Sequence, residues 1–125
     1  KEGDVYIKTS CNPSVVVDGV KMSIAIKNLI ENAYKYAQAN EKITMHITEN
    51  KKHVNLRVKD RGPGIPLDLI KNITKAFVRG KHQTTAGFGL GLSICHKVIN
   101  AHKGRLLIKN NPKGGASFTL CIPKK

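Results

Sequence analysis

Between Ile43 and Val58 the hydrophobic period is two. Ile43, Met45 and Ile47 alternate with polar residues, Val54, Leu56 and Val58 do the same, and the polar stretch "ENKKH" (49–53) separates the runs. Each run therefore has one apolar face, and the pair reads as a β-hairpin with a core on one side. Just upstream the period changes: Ile26, Leu29, Ile30, Ala33 and Ala37 recur at helical spacing, which predicts a helix over about residues 19–38, with Asp18 as N-cap and Asn40 as stop. A sheet with one apolar face and a helix with one apolar stripe bury each other.

The remaining segments extend the same plan. "VYIKTS" and "SVVVD" read as two short strands around the turn-prone "CNPS". "DRGPGIP" (60–66) is a tight loop, "LDLIKNI" (67–73) a short helical piece, and Thr74 to Ala86 an aperiodic, mobile loop. Leu90, Ile94, Val98 and Ala101 mark a second amphipathic helix, closed by Gly104 as left-handed C-cap. "RLLIK" and "SFTLCI" supply two last strands, with Phe118, Leu120 and Ile122 facing the core and Pro123 ending the second. The expected class is α+β, helices packed on one face of a sheet.

At 125 residues the chain fits one domain, 1–125, with 40% apolar and 24% charged residues as in an ordinary globular protein. A net charge of +14, from 22 basic and 8 acidic residues, favours polyanions such as nucleotide phosphates, acidic proteins or nucleic acid. Few aromatics interleave the cations and no binding module is recognisable, so no nucleic-acid partner is expected. Cys11, Cys95 and Cys121 are odd in number and lack metal-ligand spacing, which predicts buried free thiols in a reducing cytoplasmic setting. The histidines read as surface or loop residues.

Three groups of residues suit a triphosphate. Asn28, Asn32 and Lys35 fall within roughly 60° of one another on a helix, turned away from the stripe of Ile26, Ile30, Ala33 and Ala37, with Tyr36 at the edge. By itself such a face is more often solvated than functional. "GFGLGL" (87–92) places Gly87, Gly89 and Gly91 before a helix start, where backbone N–H groups accept anions, although its spacing fits neither a dinucleotide fingerprint nor a P-loop. Asp60, with Gly62 and Gly64 nearby, offers an acceptor for an adenine amino group. An asparagine oxygen on a rigid helix suits a water-rich Mg²⁺, which makes Asn32 the metal candidate.

In their order, "NLIENAYKYA" (28–37), "DRGPGIP" (60–66), "KAFVRG" (75–80) and "GFGLGLSI" (87–94) resemble the N, G1, F and G2 boxes of the catalytic ATP-binding domain of bacterial sensor histidine kinases. "GGASFTLCIP" resembles the family's last strand. The resemblance implies a two-layer α/β sandwich of the Bergerat or GHKL type, with a mixed, mostly antiparallel sheet and helices on one face. It implies Mg-ATP as cofactor and transfer of the γ-phosphate to a histidine on a separate dimerisation and phosphoacceptor domain, then to a cognate response regulator. The parent is implied to be a homodimer in the bacterial inner membrane, with this piece a monomeric cytoplasmic domain.

Carried over by resemblance, Asn32 coordinates Mg²⁺ and Asn28 helps to order the metal or its water. Lys35 contacts phosphate, Tyr36 covers the nucleotide, and Arg79 approaches the γ-phosphate, so Asn28, Asn32, Lys35 and Arg79 form the catalytic set. Asp60, Gly62, Gly64 and Ile65 would meet the base. Phe77 anchors an ATP lid over 74–88, and Gly87, Phe88, Gly89, Leu90, Gly91 and Leu92 surround the phosphates. Ser117, also implied to be an ATP-binding residue, stands where threonine is commoner, and "KAFVRG" lacks the usual proline and second aromatic. None of the five histidines has the phosphoacceptor context. In relatives that hydrolyse ATP, such as gyrase and the Hsp90 chaperones, a glutamate occupies the position of Asn28; Glu31 is a weaker candidate base. Alternatives are an ATPase or serine kinase of the same superfamily and, less so, a basic nucleic-acid-binding module.

Overall fold

The computed structural model describes residues 5–9, 15–36, 43–62, 64–71 and 92–124, and for 5–9, 34–36 and 93 the backbone path alone. Five strands, β1 (Val5–Thr9), β2 (Ile43–Glu49), β3 (His53–Lys59), β4 (Arg105–Asn110) and β5 (Ala116–Pro123), form one sheet in the order β1-β2-β3-β5-β4. Helices α1 (Gly19–Tyr36) and α2 (Leu92–Ala101) pack against each other and against β5. A helical turn covers 67–71. The class is α+β, as expected.

The hairpin β2–β3 forms as its alternation predicts, with Met45 opposite Val58 and Ile47 opposite Leu56. Its turn is set by Asn50, whose Oδ1 accepts from the N–H groups of Lys52 at 2.9 Å and His53 at 2.8 Å. Asparagine favours turns through this local bonding. β5 joins β3 and β4 antiparallel, and among the described strands only β1 runs parallel to its neighbour, β2. A parallel pair needs a crossover, which α1 supplies.

Phe118, Leu120, Val58 and Ile43 on the sheet meet Leu29, Ala33, Leu92, Cys95 and Ile99 of the helices in one core. Phe118 is fully buried, so truncating it to alanine would cost about 3–5 kcal/mol. The opposite face carries Arg57, Lys59, Thr119 and Lys109, the polar alternates of the same strands.

Asp18 caps α1: the Lys21 N–H donates to Asp18 Oδ1 at 3.0 Å, an interaction worth about 1 kcal/mol. His102, just past α2, accepts the Asp18 N–H on Nε2 at 2.9 Å and meets the Val98 carbonyl through Nδ1 at 2.8 Å. One imidazole thus ties the start of α1 to the end of α2.

Four expectations change. Residues 15–18 form no strand; Val15 and Val17 pack on the core and Val16 is exposed, but this two-residue alternation has no neighbouring strand to bond. The left-handed residue after α2 is Lys103, at φ 61, followed by Gly104. Gly104 N–H bonds Ile99 O and Lys103 N–H bonds Asn100 O, both at 2.9 Å, a Schellman pattern. Gly104 is needed for space: a Cβ there would lie 2.2 Å from the Cys121 carbonyl oxygen. His96, expected at the surface, is buried.

The fourth concerns α1. Its most buried residues are Met22, Ala25, Leu29 and Ala33, while Ile26 and Ile30 are half-buried flanks. The packed arc is therefore turned by roughly 60° from the stripe read off the sequence. Asn32, only 4% exposed, falls within the packed region instead of facing solvent. Cys95 and Cys121 are buried free thiols, while Cys11 and Ala37 lie outside the described residues. Among the described residues, no helix is long and apolar enough to cross a membrane.

Candidate functional site

The second half of α1 carries the two amides. Asn32 Nδ2 donates to the Asn28 carbonyl at 3.0 Å, one turn back. A carbonyl only accepts, so this bond sets the amide orientation and leaves Oδ1 as the Asn32 atom able to meet a cation. Asn28 Nδ2 is buried and has no hydrogen-bond partner among the described residues. A buried donor left unanswered costs about 1–3 kcal/mol, which a polar ligand would relieve. Lys35 and Tyr36 complete α1 by their backbone, and their side chains lie outside the described residues.

Asp60 follows β3 directly and is fully buried. Its Oδ1 accepts from Gly62 N–H at 2.9 Å and from Ala116 N–H at 3.2 Å, and its own N–H donates to Ala116 O at 3.1 Å. Two backbone donors on one oxygen hold the carboxylate in a fixed orientation. Gly64, at φ +88, occupies backbone space that a side chain would strain. A Cβ on it would come within 2.7 Å of Asn110 Oδ1, so its close approach is to the protein's own asparagine. Ile65 is buried in the same core cluster as Ala33, Val58 and Leu92. Asn32, next to Ala33 in the chain, and Asp60, two residues after Val58, therefore border the same helix–sheet layer.

Ser117 does not join them. Strand alternation turns it away from Phe118, and its hydroxyl donates to Asn111 Oδ1 at 2.7 Å in the β4–β5 turn. The residue that meets Asp60 is Ala116, through its main chain. Phe77, Arg79, Gly87, Phe88, Gly89, Leu90 and Gly91, and with them the 74–88 lid, lie outside the described residues.

Sequence reasoning missed Asn110, Gly115 and Ala116. Gly115 is left-handed at φ +82, and a Cβ on it would sit 2.0 Å from the Asp60 carbonyl oxygen. The Gly114–Gly115 pair signalled a turn; nothing local signalled that the turn abuts Asp60.

Among the described residues, no three His, Cys, Asp or Glu side chains gather into a metal site. The amide oxygen of Asn32 suits a hard ion that keeps waters and phosphate oxygens.

Residues 17–125 match the family described as histidine kinase-, DNA gyrase B-, and HSP90-like ATPase. The adaptive-response sensory kinase SasA of Synechocystis sp. is 38% identical over 115 residues, 89% of this chain and 30% of that protein. Sensor protein KdpD of Escherichia coli is 37% identical over 110 residues, 87% of this chain and 12% of that one. The chain thus spans less than a third of these relatives. Among solved structures, the catalytic domain of histidine kinase ThkA superposes with a TM-score of 0.80 at 29% identity, over 97% of this chain and 78% of that one. ThkA in complex with the response regulator protein TrrA gives 0.77 at 30% identity, over 98% and 34%. Five-stranded sheet, paired helices and sequence agree, and the chain belongs to the histidine kinase-, DNA gyrase B- and HSP90-like ATPase family, in its sensor histidine kinase branch.

Proposed function

We propose that this chain binds ATP with Mg²⁺ and presents the γ-phosphate to a histidine on a separate dimerisation and phosphoacceptor domain of its parent. The observation that carries the reading is the amide pair on α1: Asn32 with its Nδ2 already engaged, and Asn28 with a buried Nδ2 lacking a partner among the described residues. Asn32 Oδ1 would hold the metal, and Asn28 would bond a phosphate oxygen or a metal-bound water. Mg²⁺ supplies neutralisation of phosphate charge as the phosphoryl group moves.

The other residues then have defined tasks. Asp60, fixed by Gly62 and Ala116, accepts the adenine amino group, and Ile65 packs beside the base. Lys35 and Arg79 offset charge on the triphosphate, Tyr36 and Phe77 cover the nucleotide, and the Gly87–Leu92 segment gives backbone N–H groups to the phosphates. Asn28 cannot take a proton from water as a carboxylate would, which favours transfer over hydrolysis. The cognate response regulator would receive the phosphoryl group afterwards, in line with the ThkA–TrrA complex. The whole chain acts as one catalytic domain with 74–88 as lid, in a homodimeric parent whose inner-membrane anchoring rests on the family resemblance.

Thermal unfolding with and without Mg-ATP tests binding, since a ligand held only by the native state raises its stability by about 2.7 kcal/mol at a hundred times Kd. Acid-labile phosphate on a histidine of an added phosphoacceptor domain tests transfer. No shift at several millimolar Mg-ATP would sink the reading, as would salt-sensitive nucleic-acid binding indifferent to Mg-ATP.

A further inference from the structure

The loop from Asp60 to Ile65 is fastened at both ends by the last two strands. At its start Asp60 is bonded to Ala116, as above. At its end Asn110, the last residue of β4, accepts the Ile65 N–H on Oδ1 at 2.8 Å and donates from Nδ2 to the Ile65 carbonyl at 2.8 Å. One amide thus answers both main-chain groups of one residue, across 45 positions of sequence. It does for Ile65 what a neighbouring strand does in a sheet. The same Oδ1 fills the space left by the missing side chain of Gly64. Asn110 pairs across the ladder with Ala116, so both fastenings of the loop run through one rung.

We propose that Asn110 is a positioning residue for nucleotide selectivity: by holding Ile65 and Gly64 it sets the distance between the loop and the Asp60 carboxylate, and so which base the site accepts. The inference rests on the ATP-binding reading. Sites discriminate between bases by leaving buried polar groups unpaired when the wrong one enters, and that requires a loop unable to adjust. A loop fastened only at Asp60 would shift to accommodate guanine. The phosphates, gripped from α1 and the glycine segment, would not register the change.

The test measures equilibrium affinities of the full chain for ATP, GTP and inorganic tripolyphosphate, all with Mg²⁺, in wild type and Asn110→Ala. Expected is a fall of about tenfold in the ATP-over-GTP ratio, with tripolyphosphate affinity unchanged. Should Asn110→Ala fail to fold, Asn110→Ser, which retains a single hydroxyl, carries the same measurement. A purely structural role would lower the melting temperature and leave the ratio intact; an unchanged ratio in a folded variant overturns the assignment. A wild-type chain that prefers ATP to neither GTP nor tripolyphosphate overturns the functional reading, and this inference with it.

Discussion

Asp60 and Ala116 are bonded twice: the Asp60 N–H donates to the Ala116 carbonyl at 3.1 Å, and the Ala116 N–H donates to Asp60 Oδ1 at 3.2 Å. Main chain and side chain of one residue thus meet the same partner, which anchors a buried carboxylate at the junction of β3 and β5.

Substitution at Asp60 separates anchoring from recognition. Asp60→Asn keeps an oxygen for Gly62 and Ala116 but puts an NH₂ where the second carboxylate oxygen stood. Stability should fall little, while ATP affinity falls about 10- to 100-fold, the worth of a charge-assisted hydrogen bond. Asp60→Ala also orphans two buried N–H groups and should cost roughly 3 kcal/mol in urea unfolding. Equal losses of stability in the two variants would contradict this division.

Adjacent glycines should differ sharply. Gly114 and Gly115 both have positive φ, but a Cβ on Gly114 meets nothing within 4 Å, whereas on Gly115 it would collide with the Asp60 carbonyl. Gly114→Ala should cost about 1–2 kcal/mol of backbone strain. Gly115→Ala should cost roughly 3 kcal/mol or more and weaken nucleotide binding, because Asp60 must move. Equilibrium denaturation of both variants, with ATP titration of those that fold, decides the matter.

The α1 amides should respond differently to change. Asn32→Ala removes the oxygen proposed to meet the metal, so the dependence of ATP affinity on Mg²⁺ should vanish while the fold persists. Asn28→Glu installs a carboxylate able to activate water, and basal ATP hydrolysis should rise about tenfold or more. Unchanged hydrolysis in a folded Asn28→Glu chain would remove the explanation offered for the amide at that position.

Cys95 should make the fold sensitive to alkali. Burial pushes its thiol from 9.0 up to about 12, against a smaller lowering by a backbone hydrogen bond, and the protonated Sγ donates to the Ala25 carbonyl at 3.1 Å. Between those values the unfolded chain has lost a proton that the native chain retains, so stability falls with rising pH by about 1.4 kcal/mol per unit. Comparing urea unfolding near about pH 8 and about pH 10.5, wild type should lose about 2 kcal/mol more than Cys95→Ala. Parallel losses in the two chains would rule the thiol out as the cause.

Local pattern was enough for much of the fold. The alternation of 43–58 fixes a hairpin whichever partner it meets, and Asp18 caps a helix through bonds to its own neighbours. Val15–Val17 shows the limit: the same alternation became no strand, because a strand exists only where another offers its hydrogen bonds. The candidate site was legible where glycines and polar residues cluster, as at Asp60, Gly62 and Gly64. The bond of the Ser117 hydroxyl to Asn111 was not legible, because a single threonine-like hydroxyl says nothing about which side of its strand faces the loop.

By itself the sequence determined most element types, the one-sided sheet and the family, since these depend on periodicity and local chemistry. Tertiary structure alone decided that α1 turns Asn32 into the packed layer, that Ala116 rather than Ser117 meets Asp60, and that Asn110 grips Ile65. The reason is physical: helix rotation is set by the summed packing of the whole face, and long-range hydrogen bonds depend on strand register. Neither quantity exists until distant segments are in contact.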